Sequence, residues 1–134
     1  MSERVRNAGC RCGEVRIACT GEPIRVSVCH CRECKARSGS AFAAQVRFPA
    51  EQVRTEGAAK MWQYTGDSGN SADFFFCGTC GSGVWYRARP YHDAYAIPLG
   101  NFEPGHGFEP QFSVYEERQE PWVSITGDAI EHYD

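Results

Sequence analysis

Seven of the eight cysteines in this 134-residue chain fall into three tight groups. Cys10 and Cys12 stand in "GCRCGEV", Cys29, Cys31 and Cys34 in "CHCRECKARSGS", and Cys77 and Cys80 in "FCGTCGSG". Thiolates at such spacings bind soft metals, zinc above all. The competing use is disulfides, which belong to oxidising compartments. The N-terminal "MSERVRNAGC" lacks the apolar stretch of a secretory leader. The expected compartment is therefore the cytoplasm, and the expected use is metal. Two C-x-C pairs, Cys10 with Cys12 and Cys29 with Cys31, are also too close for an easy internal disulfide.

Ligand counting sets the division. A structural zinc is closed and four-coordinate, whereas a catalytic zinc keeps one position open. Two groups of two make one closed site from Cys10, Cys12, Cys77 and Cys80. The triplet Cys29, Cys31 and Cys34 then forms a second site with a free position. A second division stays open on spacing alone: Cys29 and Cys31 paired with Cys77 and Cys80, with Cys10 and Cys12 idle. His30 lies between two ligands. In an extended chain i and i+2 share a face, so its ring is expected to point away from the metal, outward or in support of the ligands. Cys19 alternates with Val15 and Ile17 and reads as a buried structural thiol.

The elements that must carry these groups are short strands. "EVRIACT", "IRVSVC", "AFAAQVRF", "MWQY", "SADFFFC", "GVWYRAR", "DAYAI", "QFSVY" and "WVSIT" alternate with a period of two and are rich in β-branched and aromatic residues. Only "RECKARSG" and "PAEQVR" read as helical, and both are short. "TGDSGNSAD", Thr65 to Asp73, reads as an exposed hairpin loop. The fold class expected is mainly β, built from short mixed strands in a single domain spanning residues 1–134. Hydrophobic residues make up 42% of the chain, enough for a packed core. A net charge of −3 leaves no basic surplus to hold a nucleic-acid backbone. No run reaches the roughly 20 apolar residues of a membrane helix. Nucleic acid and membrane are thus excluded as expected partners.

"GCRCGEV", "CHCRECKARSGSAF" and "FFFCGTCGSGVWY", in this order, resemble the glutathione-dependent formaldehyde-activating enzyme family, which also includes centromere protein V. The resemblance runs from about Gly9 to Trp122, and "EPQFSVYEERQEPW" is similar to the family's closing strand. It implies a zinc-stapled β-sheet arrangement, the β-tent, with two zinc ions per chain. It implies Cys10, Cys12, Cys77 and Cys80 as structural ligands, and Cys29, Cys31 and Cys34 as ligands of a catalytic zinc. The implied reaction is carbon–sulfur lyase or synthase chemistry on a thiol–aldehyde adduct, S-hydroxymethylglutathione in the family's own case. The implied partner is a small thiol such as glutathione or its aldehyde adduct, in a chain free to form a homo-oligomer.

The residues themselves suit that chemistry. A free thiol has a pKa near 8.5 and is mostly protonated at neutral pH, and coordination to zinc removes the proton. Three cysteinates make a weak Lewis acid for water, so the site favours sulfur chemistry over hydrolysis. Arg32, Lys35, Arg37, Arg87 and Arg89 flank the cysteine groups and are the candidate partners for substrate carboxylates; solvated surface charge is the competing reading of each. Ser38 and Ser40 read as local turn residues. Two other functions compete with the enzyme: a zinc-stapled module that binds a protein partner, and a thiol redox or metal-storage protein.

Overall fold

The computed structural model describes residues 3–66, 69–89 and 93–134. In chain order its strands are β1 (Val5–Gly9), β2 (Arg16–Thr20), β3 (Arg25–Cys29), β4 (Ala43–Pro49), β5 (Val53–Glu56), β6 (Ala59–Thr65), β7 (Ser71–Cys77), β8 (Gly83–Ala88), β9 (Ala94–Pro98), β10 (Phe112–Val114) and β11 (Glu131–His132). One α-helix, α1 (Arg32–Ser38), lies between β3 and β4. The molecule is mainly β, a single domain.

The strands make two sheets. A small antiparallel sheet runs β1-β2-β5, and a large one runs β11-β10-β3-β4-β9-β8-β7-β6. The large sheet is mixed, because β10 pairs in parallel with both β3 and β11 while its other pairs are antiparallel. The core fills the space between the two. Val15, Ile17 and Cys19 from the small sheet meet Val46, Phe48, Val84 and Ile97 from the large one, all fully or almost fully buried. Phe48 is seated against Phe102 and Phe108, with ring centroids 6.4 and 6.0 Å away. Each such side chain contributes roughly 1.5–3 kcal/mol by leaving water.

Most of the expected strands are present, with instructive differences. Val15, Ile17 and Cys19 do share one buried face, but Ile24 is exposed because β3 begins only at Arg25. "PAEQVR" makes one 3-10 turn at Ala50–Gln52 and then becomes β5 rather than a helix. "WVSIT" is not a strand. Its Val123 N–H closes a turn onto the Glu120 carbonyl at 3.0 Å, and its Trp122 projects into solvent. The expected loop of Thr65 to Asp73 is shorter, since Ser71–Asp73 belong to β7 and Thr65 to β6; Asp67 and Ser68 lie outside the described residues. The polar N-terminus supplies β1, an edge strand held by full pairing with β2.

Gly57, between β5 and β6, shows how closely the small sheet is packed. Its φ is +94°, and a Cβ there would stand 1.8 Å from the Glu14 carbonyl oxygen. Only glycine fits. The close approach is to Glu14, in the turn that also carries Cys10 and Cys12.

Candidate metal centres

Cys10 and Cys12 occupy the turn between β1 and β2. The Cys10 N–H bonds the Val15 carbonyl at 3.0 Å, and the Val15 N–H returns to the Cys10 sulfur at 3.2 Å. Cys77 ends β7 and Cys80 lies in the turn to β8. Gly81, at φ +82°, lets that turn close with its N–H on the Cys77 carbonyl at 2.8 Å. The two turns face each other, and Arg11 N–H reaches Ser82 Oγ at 3.1 Å across the gap. All four sulfurs lie within 4.8 Å of one another. The sulfurs of Cys10 and Cys12 are 3.6 Å apart and those of Cys12 and Cys77 3.7 Å. A zinc tetrahedron with bonds of about 2.3 Å has sulfur–sulfur edges of about 3.8 Å. The donor set fits zinc in number, chemistry and spacing.

The second group sits where β3 turns into α1. Cys29 is the last residue of β3, flanked by Ala43 on β4 and Val114 on β10. Cys31 is the N-cap of α1, its sulfur accepting the Cys34 N–H at 3.4 Å. Cys34 follows in the first turn, and Gly39 ends the helix in the left-handed region. The three sulfurs also lie within 4.8 Å of one another. No fourth His, Cys, Asp or Glu joins them among the described residues. Three thiolates at a helix start fit zinc with one position to spare.

Without metal, sulfurs this close share their protons unevenly. A hydrogen bond from Cys29, with others from Cys31 and Arg37 and the Arg37 charge, lowers the Cys34 pKa to about 6 against the opposing effect of burial. Cys29 moves the other way, raised by its bond to Cys34 and by burial. In the four-cysteine group, the Ser82 side chain and backbone lower Cys80 to about 5. The Glu14 backbone N–H pulls Cys12 down, but burial and the neighbouring thiols carry it up to about 12.

The structure thus brings Cys10, Cys12, Cys77 and Cys80 into one cluster and Cys29, Cys31 and Cys34 into another, and among the described residues Cys29 and Cys31 do not group with Cys77 and Cys80. His30 points away from the triplet, but inward. It is completely buried, and Nε2 lies 2.9 Å from Ser113 Oγ on β10. Burial holds its pKa below the usual imidazole value. Cys19 is fully buried in the core, its thiol pushed up to about 12 by burial.

Most candidate cations are engaged elsewhere. Lys35 Nζ bonds Glu120 at 2.9 Å and the Arg118 carbonyl at 2.6 Å. Arg89 forms a two-pronged pair with Asp73. Arg87 lies over the Tyr95 ring at 4.5 Å. Arg32 borders a shallow groove with Glu117 and Arg118. Ser38 serves its own turn, donating to the Cys34 carbonyl at 2.8 Å and accepting the Ser40 N–H. His106 accepts the Phe108 N–H, and His132 meets Glu116 at 2.6 Å. Arg37 alone of the five lines the cleft described next.

That cleft, about 910 Å³, opens beside Cys34. One wall is α1, with Glu33 and Arg37; the other is the outer face of β6, β7 and β8, with Trp62, Tyr64, Phe74 and Tyr86. Sequence reasoning missed it, because its residues come from α1, from the four strands β6 to β9 and from the turns beside them.

The mainly β frame thus carries two cysteine clusters that could hold metal ions, one between turns of the two sheets and one beside a cleft. The family described as glutathione-dependent formaldehyde-activating enzyme matches residues 5–118, and the chain belongs to it. The crystal structure of a Rhodobacter sphaeroides protein, a structural genomics target, has a similar fold, with a TM-score of 0.58 at 23% identity. The likeness covers 78% of this chain and 91% of that one. No curated protein matches the chain.

Proposed function

We propose that the chain is a zinc-dependent carbon–sulfur lyase or synthase for small thiol–aldehyde adducts of the S-hydroxymethylglutathione type. The whole chain, residues 1–134, would act as one unit with two zinc ions. Cys10, Cys12, Cys77 and Cys80 hold the structural ion, and Cys29, Cys31 and Cys34 hold the ion at the reactive centre. The observation that carries this reading is the position of Cys34, which belongs to an incomplete ligand set and lines the cleft.

Zinc bound there supplies one thing, a means of keeping an incoming thiol deprotonated at neutral pH. The chain's own residues do the rest. The rings of Phe74 and Tyr86, nearest Arg37, exclude water from one side of the reacting atoms. Arg37, beside Cys34, offers positive charge to the carbonyl oxygen of the aldehyde. As the sulfur–carbon bond forms, the carbonyl π pair moves to that oxygen, which takes up the proton lost by the thiol. The lyase direction is the reverse. A binding module has no use for an incomplete ligand set on a cleft wall.

No helix among the described residues is long and apolar enough to cross a membrane. The reducing cytoplasm suits seven thiolate ligands and is the proposed location.

The test is exchange NMR on glutathione with formaldehyde. Zinc-loaded protein should speed interconversion of free glutathione and its hydroxymethyl adduct, and Cys34→Ser should return it to the uncatalysed rate. A folded Cys34→Ser protein with wild-type exchange would overturn the assignment of the reactive centre.

A further inference from the structure

Trp62, Phe74 and Tyr86 are direct cross-strand partners on β6, β7 and β8, so their rings stand on one face of the sheet. Ring centroids lie 6.2 Å apart for Trp62–Phe74 and 5.1 Å for Phe74–Tyr86. Tyr64 joins the row, 5.6 Å from Trp62. Arg37 closes it, its guanidinium 4.9 Å from the Tyr86 ring. The row therefore runs from solvent, where Trp62 is 58% exposed, to the helix that carries Cys34.

These rings are not part of the core. Phe75 and Trp85, the next cross-strand pair, stack at 4.9 Å on the opposite face and pack against the core cluster. "SADFFFC" thus sets Phe74 on the face of Trp62 and Tyr86 and Phe75 on the face packed against the core, although Phe75 and Trp85 also touch the cleft. Ring faces pair well with other planar π-systems. The cleft is in the size range of sites for ligands far larger than formaldehyde. Among the described residues Arg37 is its one cation, and the reaction proposed above already uses that charge on the carbonyl oxygen. Glu33, on the same wall, disfavours further anionic groups.

We infer that the carbon joined to sulfur at this site carries a planar aromatic group, so that the substrates are aromatic aldehydes and their thiol adducts. The aromatic ring lies along Trp62, Phe74 and Tyr86, with the aldehyde carbon at the Cys34 end. This names the substrate class of the site proposed above and rests on that reading. The bookkeeping is unchanged: one sulfur–carbon bond forms, the carbonyl pair goes to oxygen, and the thiol proton ends there, with no oxidant or reductant needed.

The experiment is calorimetric titration of zinc-loaded protein with benzyl mercaptan and with ethanethiol. Benzyl mercaptan carries the sulfur, carbon and ring of the inferred adduct; ethanethiol lacks the ring. Benzyl mercaptan should bind about tenfold more tightly, in line with ring-on-ring stacking. Trp62→Ala should cut that preference to about threefold or less, and Trp62→Phe should keep most of it. Trp62 is exposed on an edge strand, so both variants should melt like the wild type. Equal affinities, with ethanethiol binding lost in Cys34→Ser, would overturn the aromatic preference and leave the thiol site standing. Failure of both thiols to bind would overturn the two together.

Discussion

The sulfurs of Cys12 and Cys77, 65 residues apart in the chain, lie 3.7 Å from one another. One belongs to a turn of the small sheet and the other ends a strand of the large one. A metal held between them would fasten the two sheets, both of which contribute residues to the core. By analogy with a disulfide closing a loop of that length, the fastening constrains the unfolded chain by about 4 kcal/mol.

Cys80→Ser should therefore cost the fold itself. The expected outcome is insoluble protein, or soluble protein with one zinc per chain fewer and a melting temperature lowered by more than about 10 °C. Metal analysis and thermal unfolding under reducing conditions check it. Wild-type melting would show that this cluster is not the fastening.

Cys34→Ser should behave differently. Cys29, Cys31 and Cys34 lie in one short segment, so their metal closes a small loop and constrains the chain little. The far-UV circular dichroism spectrum should match the wild type, with zinc reduced to one per chain. His30→Ala should keep both ions, because the ring turns away from the sulfurs toward Ser113. It should still lower stability by roughly 1–3 kcal/mol, since the buried Ser113 hydroxyl loses its partner.

Gly57→Ala should be among the most damaging single-atom-group changes. The added Cβ meets a backbone carbonyl at 1.8 Å, and the left-handed φ resists any side chain. Strain and overpacking together should cost about 3 kcal/mol, measured as the shift in denaturant midpoint. Unchanged stability would mean that the turn bearing Cys10 and Cys12 gives way to the Cβ without cost.

Cys19 should leave a mark on alkaline stability. Its folded pKa, about 12, is raised by burial above the ordinary thiol value. Below the unfolded pKa, near 8.5, both states keep the proton and nothing is lost. As pH rises from there towards 12, only the unfolded chain ionises, so stability falls. The slope of melting temperature against pH between 9 and 11 should be shallower in Cys19→Ala than in the wild type. Equal slopes would show that the thiol ionises without unfolding.

The chemistry was more legible in the sequence than its setting. Seven clustered cysteines pointed to groups that could hold metal, and the alternation of Val15, Ile17 and Cys19 announced a buried face. Spacing alone left two ways of pairing the groups, because it carries no information on which turns face each other; the meeting of the two sheets decides that. The aromatic row stayed hidden because cross-strand register, not sequence distance, sets Trp62 beside Phe74 and Phe74 beside Tyr86. The signal was present in "SADFFFC", where consecutive aromatics must occupy both faces of a strand. "WVSIT" misled for the opposite reason: its alternation is real, but no sheet edge pairs with it.

The central claim is that the triplet of Cys29, Cys31 and Cys34 keeps a position for a substrate thiol. Cobalt(II) substituted for zinc tests it most directly, because sulfur-to-cobalt absorption reports each thiolate bound. Adding benzyl mercaptan to the cobalt protein should intensify that band and saturate at one thiol per chain, and Cys34→Ser should abolish the change. A spectrum unmoved by thiol, in a folded protein holding two cobalt ions, would contradict the account.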